Sequence, residues 1–259
     1  MKVAISGKGG VGKTTLSALL AGAMALTGRR VIALDADPDA NLAAALGLPL
    51  DEPITPLAEM RELIRQRTGA QDGYGGYFKL NPKVDDIPEA YARAIGNIRL
   101  LVLGGVRRGG DGCICPATAL LKALLVHLVL GRRDALIMDM EAGIEHLGRA
   151  TAQSMDALVV VVNPEPWSLQ TAFRVRKLAG DLGMGKVFAV ANRLAAPADA
   201  EAIARQLGDI PLIGQLPEDR RLTGPAVVPS QAGDLQPAEG LAAHLEEVRA
   251  ILTELEART

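Results

Sequence analysis

The sequence predicts an α/β fold, a doubly wound and mostly parallel sheet with helices on both faces. Short apolar runs alternate with helical patterns along most of the 259 residues. The runs are continuous in Val, Ile and Leu without polar alternation, as expected for strands covered on both sides. The first of them flows directly into a glycine-rich loop that opens a helix.

Taken in order, "KVAIS" (2–6) is the first strand, followed by a helix from about Thr14 to Leu26 and the strand "VIALD" ending at Asp35. "IRLLVLG" (98–104), a helix over 118–130 and "ALIMD" ending at Asp139 come next. "ALVVVVN" ends at Asn163, a helix covers roughly 168–182, and "KVFAVAN" ends at Asn192. A helix near 199–207, the short strand "PLIGQ" and a C-terminal helix over about 240–257 complete the rhythm. In that last helix Leu241, Leu245, Val248, Leu252 and Leu255 recur at helical spacing, an apolar stripe for packing on the sheet. Residues 49–95 break the pattern with a helix near 57–67 and a Gly-, Asp- and Pro-rich stretch, expected as an insertion or edge elaboration on a single domain spanning 1–259. Tyr74, Tyr77 and Phe78 make this segment a candidate contact surface.

Composition excludes several function classes. Hydrophobic residues make up 49% and charged residues 22%, with a net charge of −2 and no concentrated basic stretch. Nucleic acid is therefore not expected as a partner. No window reaches the roughly eighteen apolar residues of a membrane span, and the N-terminus reads as a strand and not a signal peptide. A cytoplasmic enzyme is the expectation. The aromatic content of 3% leaves the core to Ala, Val, Leu and Ile.

The chemistry begins at "GKGGVGKTT" (7–15), which fits G-x-x-x-x-G-K-[ST] with Gly7, Gly12, Lys13 and Thr14 in the fixed positions. Gly9, Gly10, Val11, Gly12, Lys13, Thr14 and Thr15 form the candidate nucleotide cradle. Backbone N–H groups from Gly10 to Thr15 can converge on the β-phosphate at the positive end of the helix. Lys13 would bridge β and γ oxygens, and the Thr14 hydroxyl would reach Mg²⁺. Lys8 is a second cation at the start of the loop, too close to fold back easily onto its own phosphates but able to reach a nucleotide bound by a facing copy. Asp35 and Asp37, at the end of the second strand, face the crevice where a carboxylate can orient water. Asp139 ends another apolar strand as a Walker B carboxylate would, holding Mg²⁺ through water.

With "KGGVGKT" the chain resembles the deviant Walker-A P-loop ATPases, which include the Min and Par partitioning ATPases and the nitrogenase iron protein. The resemblance implies ATP-dependent homodimers in which Lys8 crosses the interface and, with Lys13 and Asp37, serves catalysis. It makes Asp37 the water-positioning residue and places Asp35, Asn41, Asp139 and Gly143 in the switch segments. Met140, Glu141 and Ala142 stand where the family more commonly has Thr-Pro-Pro, which narrows the subfamily. Asn192 is a candidate reader of the adenine edge, and the "LPED" turn with Pro217 would close over the base.

Both cysteines, Cys113 and Cys115, lie in "GGDGCICPA". In a reducing compartment such a pair reads as metal-binding or redox-active. Two sulfurs fall short of a tetrahedral site, and a two-fold dimer would supply four to one shared Ni²⁺ or Zn²⁺. A shared iron–sulfur cluster is the alternative ligand and two incidental cysteines the plain one. Arg107 and Arg108 would favour the thiolates. "DMEAGIEHLGRAT", "LNPKVDD", "KLAGDLG" and the Cys-x-Cys loop resemble the CooC-type maturation ATPases, which help insert nickel into the active-site cluster of carbon monoxide dehydrogenase. That resemblance implies ATP and ADP as nucleotides and carbon monoxide dehydrogenase as client. The rival readings are a MinD/ParA-type partitioning switch, an electron donor of the iron-protein kind, and a nucleotide-holding module without turnover. The acidic C-terminal helix argues against a membrane-binding tail. His127 is expected in the core, His146 as a helix-side hydrogen-bonding residue, and His244 in solvent.

Overall fold

In a computed structural model the described residues are 1–70, 77–104, 116–130, 135–141, 149–229 and 234–259. The chain opens with β1 (Lys2–Gly7), α1 (Lys13–Leu26), β2 (Val31–Ala36) and α2 (Leu42–Ala45). A 3₁₀ turn (Leu57–Glu59), α3 (Arg61–Thr68) and α4 (Ile87–Tyr91) lead to β3 (Arg93–Ile95) and β4 (Ile98–Val102). Then come α5 (Pro116–Leu130), β5 (Ala135–Met140), α6 (Arg149–Gln153), β6 (Ala157–Val162) and α7 (Pro166–Asp181). β7 (Val187–Leu194), α8 (Pro197–Leu207) and β8 (Leu212–Pro217) finish the main sheet. A 3₁₀ turn (Arg220–Thr223), the pair β9 (Val227–Pro229) and β10 (Leu235–Pro237), α9 (Glu239–Ala243) and α10 (Leu245–Arg258) close the chain.

Eight strands form one sheet in the order β3-β4-β2-β5-β1-β6-β7-β8. Every neighbouring pair is parallel except β3 with β4. The continuous apolar runs work because the two sides of each strand feed different cores. Leu158, Val160 and Val162 of β6 enter one, with helices α5 to α8. Val159 and Val161 enter the other, with α1, α9 and α10. The expected doubly wound sheet is therefore present, and among the described residues no helix is long and apolar enough to cross a membrane.

The segment 49–95 supplies α3, α4 and the antiparallel edge strand β3. The expected helix at 57–67 starts as a 3₁₀ turn and becomes α-helical only at Arg61. Tyr77 stands fully exposed, whereas Tyr74 lies outside the described residues. The C-terminal helix divides at His244, which has φ −122 and ends α9 before α10 begins. Val248, Ile251 and Leu255 of α10 bury completely against the sheet. Gly214 in β8 permits the close approach, since a Cβ there would lie 2.2 Å from Ile251 Cγ1.

Two histidine expectations are overturned. His127 is exposed: α5 is apolar on nearly every side, so no period marks its inner face, and His127 falls at the margin of the stripe made by Leu120, Leu124 and Leu128. His244 is buried at 7% exposure, because Asp219 waits beside it as a partner. His146 lies outside the described residues.

Candidate nucleotide site

Strand order places β1 between β5 and β6, with α1 leading away to one side and α7 starting the other half. Such a switch point opens a crevice at the carboxyl ends of the strands, where α/β sheets bind ligands. The loop after β1 fills it. Gly7 has φ 144, and a Cβ there would meet the Val161 carbonyl oxygen at 2.5 Å. Gly12 caps α1 with φ 100 and no side-chain cap, so the first-turn amides are left for a ligand.

Inside the loop, the Lys8 carbonyl accepts from Val11 N at 3.3 Å and from Lys13 Nζ at 3.4 Å. Lys13 is buried at 7% exposure. Asn192, at the end of the strand run predicted for it, is buried, and its Nδ2 donates to the Val11 carbonyl at 2.8 Å. The same atom lies 2.1 Å from where a Cβ on Gly12 would sit, so beside Asn192 position 12 has room only for glycine. In this arrangement Asn192 clamps the loop.

Behind the loop lies Asp139, with no exposed surface. Ser17 Oγ donates to Asp139 Oδ1 at 3.1 Å and stands 2.9 Å from the Lys13 carbonyl, and the Thr14 hydroxyl is near enough to favour the charged carboxylate. Burial pushes the Asp139 pKa up to about 6, opposed by the Thr14 and Ser17 hydroxyls and the Lys13 charge. Its Oδ2 is buried without a hydrogen-bond partner. A buried carboxylate oxygen with no donor, beside a P-loop threonine, is a donor set suited to Mg²⁺. Thr14 and Asp139 would hold the ion, which when bound neutralises charge on the phosphate oxygens.

Asp35 is equally buried and does a different task. Its Oδ1 accepts from Asp37 N at 3.1 Å and its Oδ2 from Leu42 N at 2.9 Å. It thereby pins both ends of the segment that carries Asp37, Ala40 and Asn41. Burial, reinforced by the neighbouring Asp139, raises its pKa to about 7 despite those two amides. Asp37 itself is half-buried and accepts from Asp39 N at 3.0 Å. Ala40 holds φ 49, a left-handed conformation that only the surrounding turn sustains. Asn41 is exposed at the start of α2 and makes no side-chain cap bond.

Pro217 ends β8, and the turn after it is tied down by Asp219. Asp219 accepts from Arg221 N at 2.8 Å, from the Arg221 guanidinium at 2.6 Å, and faces His244 Nε2 at 2.9 Å. Arg221 first and His244 second hold its carboxyl well below the usual carboxylate range. Lys8 reaches α7 instead of the phosphate cradle: its Nζ lies 3.8 Å from Glu165 Oε2 and 4.9 Å from the Trp167 ring centroid. Gly143, Cys113, Cys115, Arg107 and Arg108 lie outside the described residues. Among the described residues no group of three or more His, Cys, Asp or Glu side chains could hold a metal ion.

Ser17, Glu165 and Trp167 also border the site, although no motif marks them in the sequence. Ser17 carried a signal, a polar residue in an otherwise apolar helix one turn after Lys13. Trp167 carried a weaker one as the chain's lone tryptophan, next to a strand end.

A glycine-rich loop of the form G-x-x-x-x-G-K-[ST] at the carboxyl end of a central parallel strand, backed by a buried aspartate, marks a P-loop ATPase. A family model described as the CobQ/CobB/MinD/ParA nucleotide binding domain matches residues 2–226, and the chain belongs to that family. Among its relatives, the carbon monoxide dehydrogenase accessory protein CooC of Rhodospirillum rubrum is 44% identical over 240 residues, covering 92% of this chain and 91% of that one. An uncharacterised ATP-binding protein of Methanocaldococcus jannaschii is 48% identical over 195 residues, 75% of each. The fold matches that of the septum site-determining protein MinD from Pyrococcus horikoshii, complexed with Mg-ADP, at TM-score 0.59 and 24% identity, covering 99% of this chain and 94% of that one.

Proposed function

We propose that the chain is a nucleotide-driven homodimeric metallochaperone that helps insert nickel into the active-site cluster of carbon monoxide dehydrogenase. The supporting observation is the 44% identity to a carbon monoxide dehydrogenase accessory protein over 92% of the chain. Lys13 binds the phosphates of ATP, Asp37 orients the attacking water, and Lys8 acts on the nucleotide of the facing copy. The protein works as one ATPase domain, elaborated over 49–95. Cys113 and Cys115 of two copies hold one Ni²⁺ or Zn²⁺ as cargo, and a reducing cytoplasm keeps the four thiols available. Asn192 and Pro217 border the base.

The test is metal stoichiometry with Ni²⁺, with and without ATP, alongside mass determination. One ion per dimer, lost in the Cys113→Ala/Cys115→Ala variant while ATP binding persists, supports metal delivery. A metal-free protein that still pairs with ATP turns the function toward a partitioning-type switch. Lys8→Ala is expected to bind ATP yet neither hydrolyse it nor pair. Hydrolysis by that variant at the wild-type rate sinks the action in trans.

A further inference from the structure

We propose that Glu165 and Trp167 are positioning residues that hold Lys8 on its own chain and so set how readily two copies pair on nucleotide. The inference rests on the reading that Lys8 acts on a partner's nucleotide. Three groups close on one another: the Lys8 ammonium lies 3.8 Å from Glu165 Oε2 and 4.9 Å from the Trp167 ring centroid, and Trp167 Nε1 donates to Glu165 Oε2. The indole thus fixes the carboxylate with its edge and receives the cation on its face, where the ring quadrupole attracts positive charge.

The two sides of this contact differ in rigidity. Glu165 and Trp167 stand on a braced turn: Asn163 N donates to Ser168 Oγ at 3.1 Å and Ser168 N to the Glu165 carbonyl at 2.9 Å. Pro166 occupies the first turn of α7, and Ser168 is buried. On the other side only the Lys8 backbone is held, through its carbonyl. The side chain beyond it is flexible, and the adjoining Gly9 and Gly10 are exposed with open space where a Cβ would be. A rigid dock facing a mobile lysine across the crevice between β1 and β6 suits a contact that is made and broken.

The contact is weak enough to release. The Lys8 and Glu165 side chains are 41% and 49% exposed, so solvent screens the pair. Freeing one lysine from the carboxylate and the ring should shift pairing by about two- to fivefold per protomer. Two lysines must be freed in a symmetric pair, so the factor is roughly squared.

The experiment follows ATP hydrolysis against protein concentration for wild type, Glu165→Gln and Trp167→Ala. The expected result is a half-saturating protein concentration lowered by roughly four- to twenty-five-fold, with Trp167→Tyr restoring part of the shift through its aromatic face. An unchanged or raised half-saturating concentration overturns the latch, provided Lys8→Ala is inactive. Lys8→Ala hydrolysing at the wild-type rate instead removes the action in trans on which the latch depends. Trp167 is also the chain's lone tryptophan, which gives a second readout in the unaltered protein. Its emission should change on Mg·ATP with the same concentration dependence as hydrolysis, and in Lys8→Ala it should be altered beforehand and unresponsive to ATP. Pairing without any change in emission overturns the proposal.

Discussion

Asp35 and Asp139 stand in register on the neighbouring parallel strands β2 and β5, both sealed completely from solvent. One accepts two backbone amides and pins the 37–42 segment, and the other keeps a bare oxygen beside Thr14 and Ser17. Two buried carboxylates this close disfavour each other's charge. A divalent cation held at Asp139 would relieve that repulsion.

Stability without nucleotide should therefore fall with rising pH between about 4 and 7. Each carboxyl has an ordinary value of 3.8 when unfolded and is raised when folded, to about 7 for Asp35 and about 6 for Asp139. In that window the unfolded chain has lost protons that the folded chain retains, so unfolding gains as pH rises. The contribution is fullest below the window and lost above it. Asp86 and Asp219 are shifted downward and so act at lower pH. Thermal unfolding midpoints across the window should decline, Asp139→Asn should flatten the decline, and Mg·ATP should flatten it in the wild type. A flat wild-type profile would contradict the buried pair.

Asn192→Ala should destabilise the chain by about 1–3 kcal/mol, because the buried Val11 carbonyl loses its donor. The loop would loosen, so KM for ATP should rise as well. Asn192→Asp should be worse, since it sets a carboxylate oxygen against a carbonyl. Urea unfolding and ATP titration together check this, and an Asn192→Ala protein with unchanged stability would remove the clamp.

Much of this architecture was legible because the chemistry was local. Continuous apolar strands and a loop defined by glycines of positive φ announce themselves in a few consecutive residues. What stayed hidden depends on distant partners. β3, β9 and β10 have three residues each, too few for any period, and the pairing that makes them strands comes from elsewhere. His244 reads as a solvated residue on a polar helix until Asp219, twenty-five positions away, is placed beside it. Lys8 was recognisable as unusual, yet its neighbours on α7 become visible only once β6 is laid against β1.

Gly214→Ala tests how closely α10 seats on the sheet edge. A methyl there would meet Ile251 Cγ1 at 2.2 Å, so the helix must shift or the side chain must change rotamer. Overpacking of this kind costs about 1–3 kcal/mol. Ile251→Ala alone opens a cavity in a fully buried site, with a cost of about 2–5 kcal/mol. Combined, the substitutions should be less harmful than the sum of the two, and strict additivity in denaturant unfolding would show that the helix floats freely over β8.

His244→Ala tests whether the turn after Pro217 serves the nucleotide. His244 Nε2 and Arg221 converge on Asp219, and Nδ1 of the same ring faces Glu247 at 3.6 Å, so the histidine links the turn to α10. Removing it frees one side of the Asp219 carboxylate while leaving Lys13, Thr14 and Asp139 untouched. If the turn borders the base, KM for ATP should rise several-fold with kcat nearly constant, the pattern of lost uniform binding. His244→Gln keeps a donor for Asp219 and should recover part of the loss. A variant that unfolds earlier yet binds ATP normally would confine the His244–Asp219 link to holding the C-terminal helix, and the base would have to be bordered by other residues.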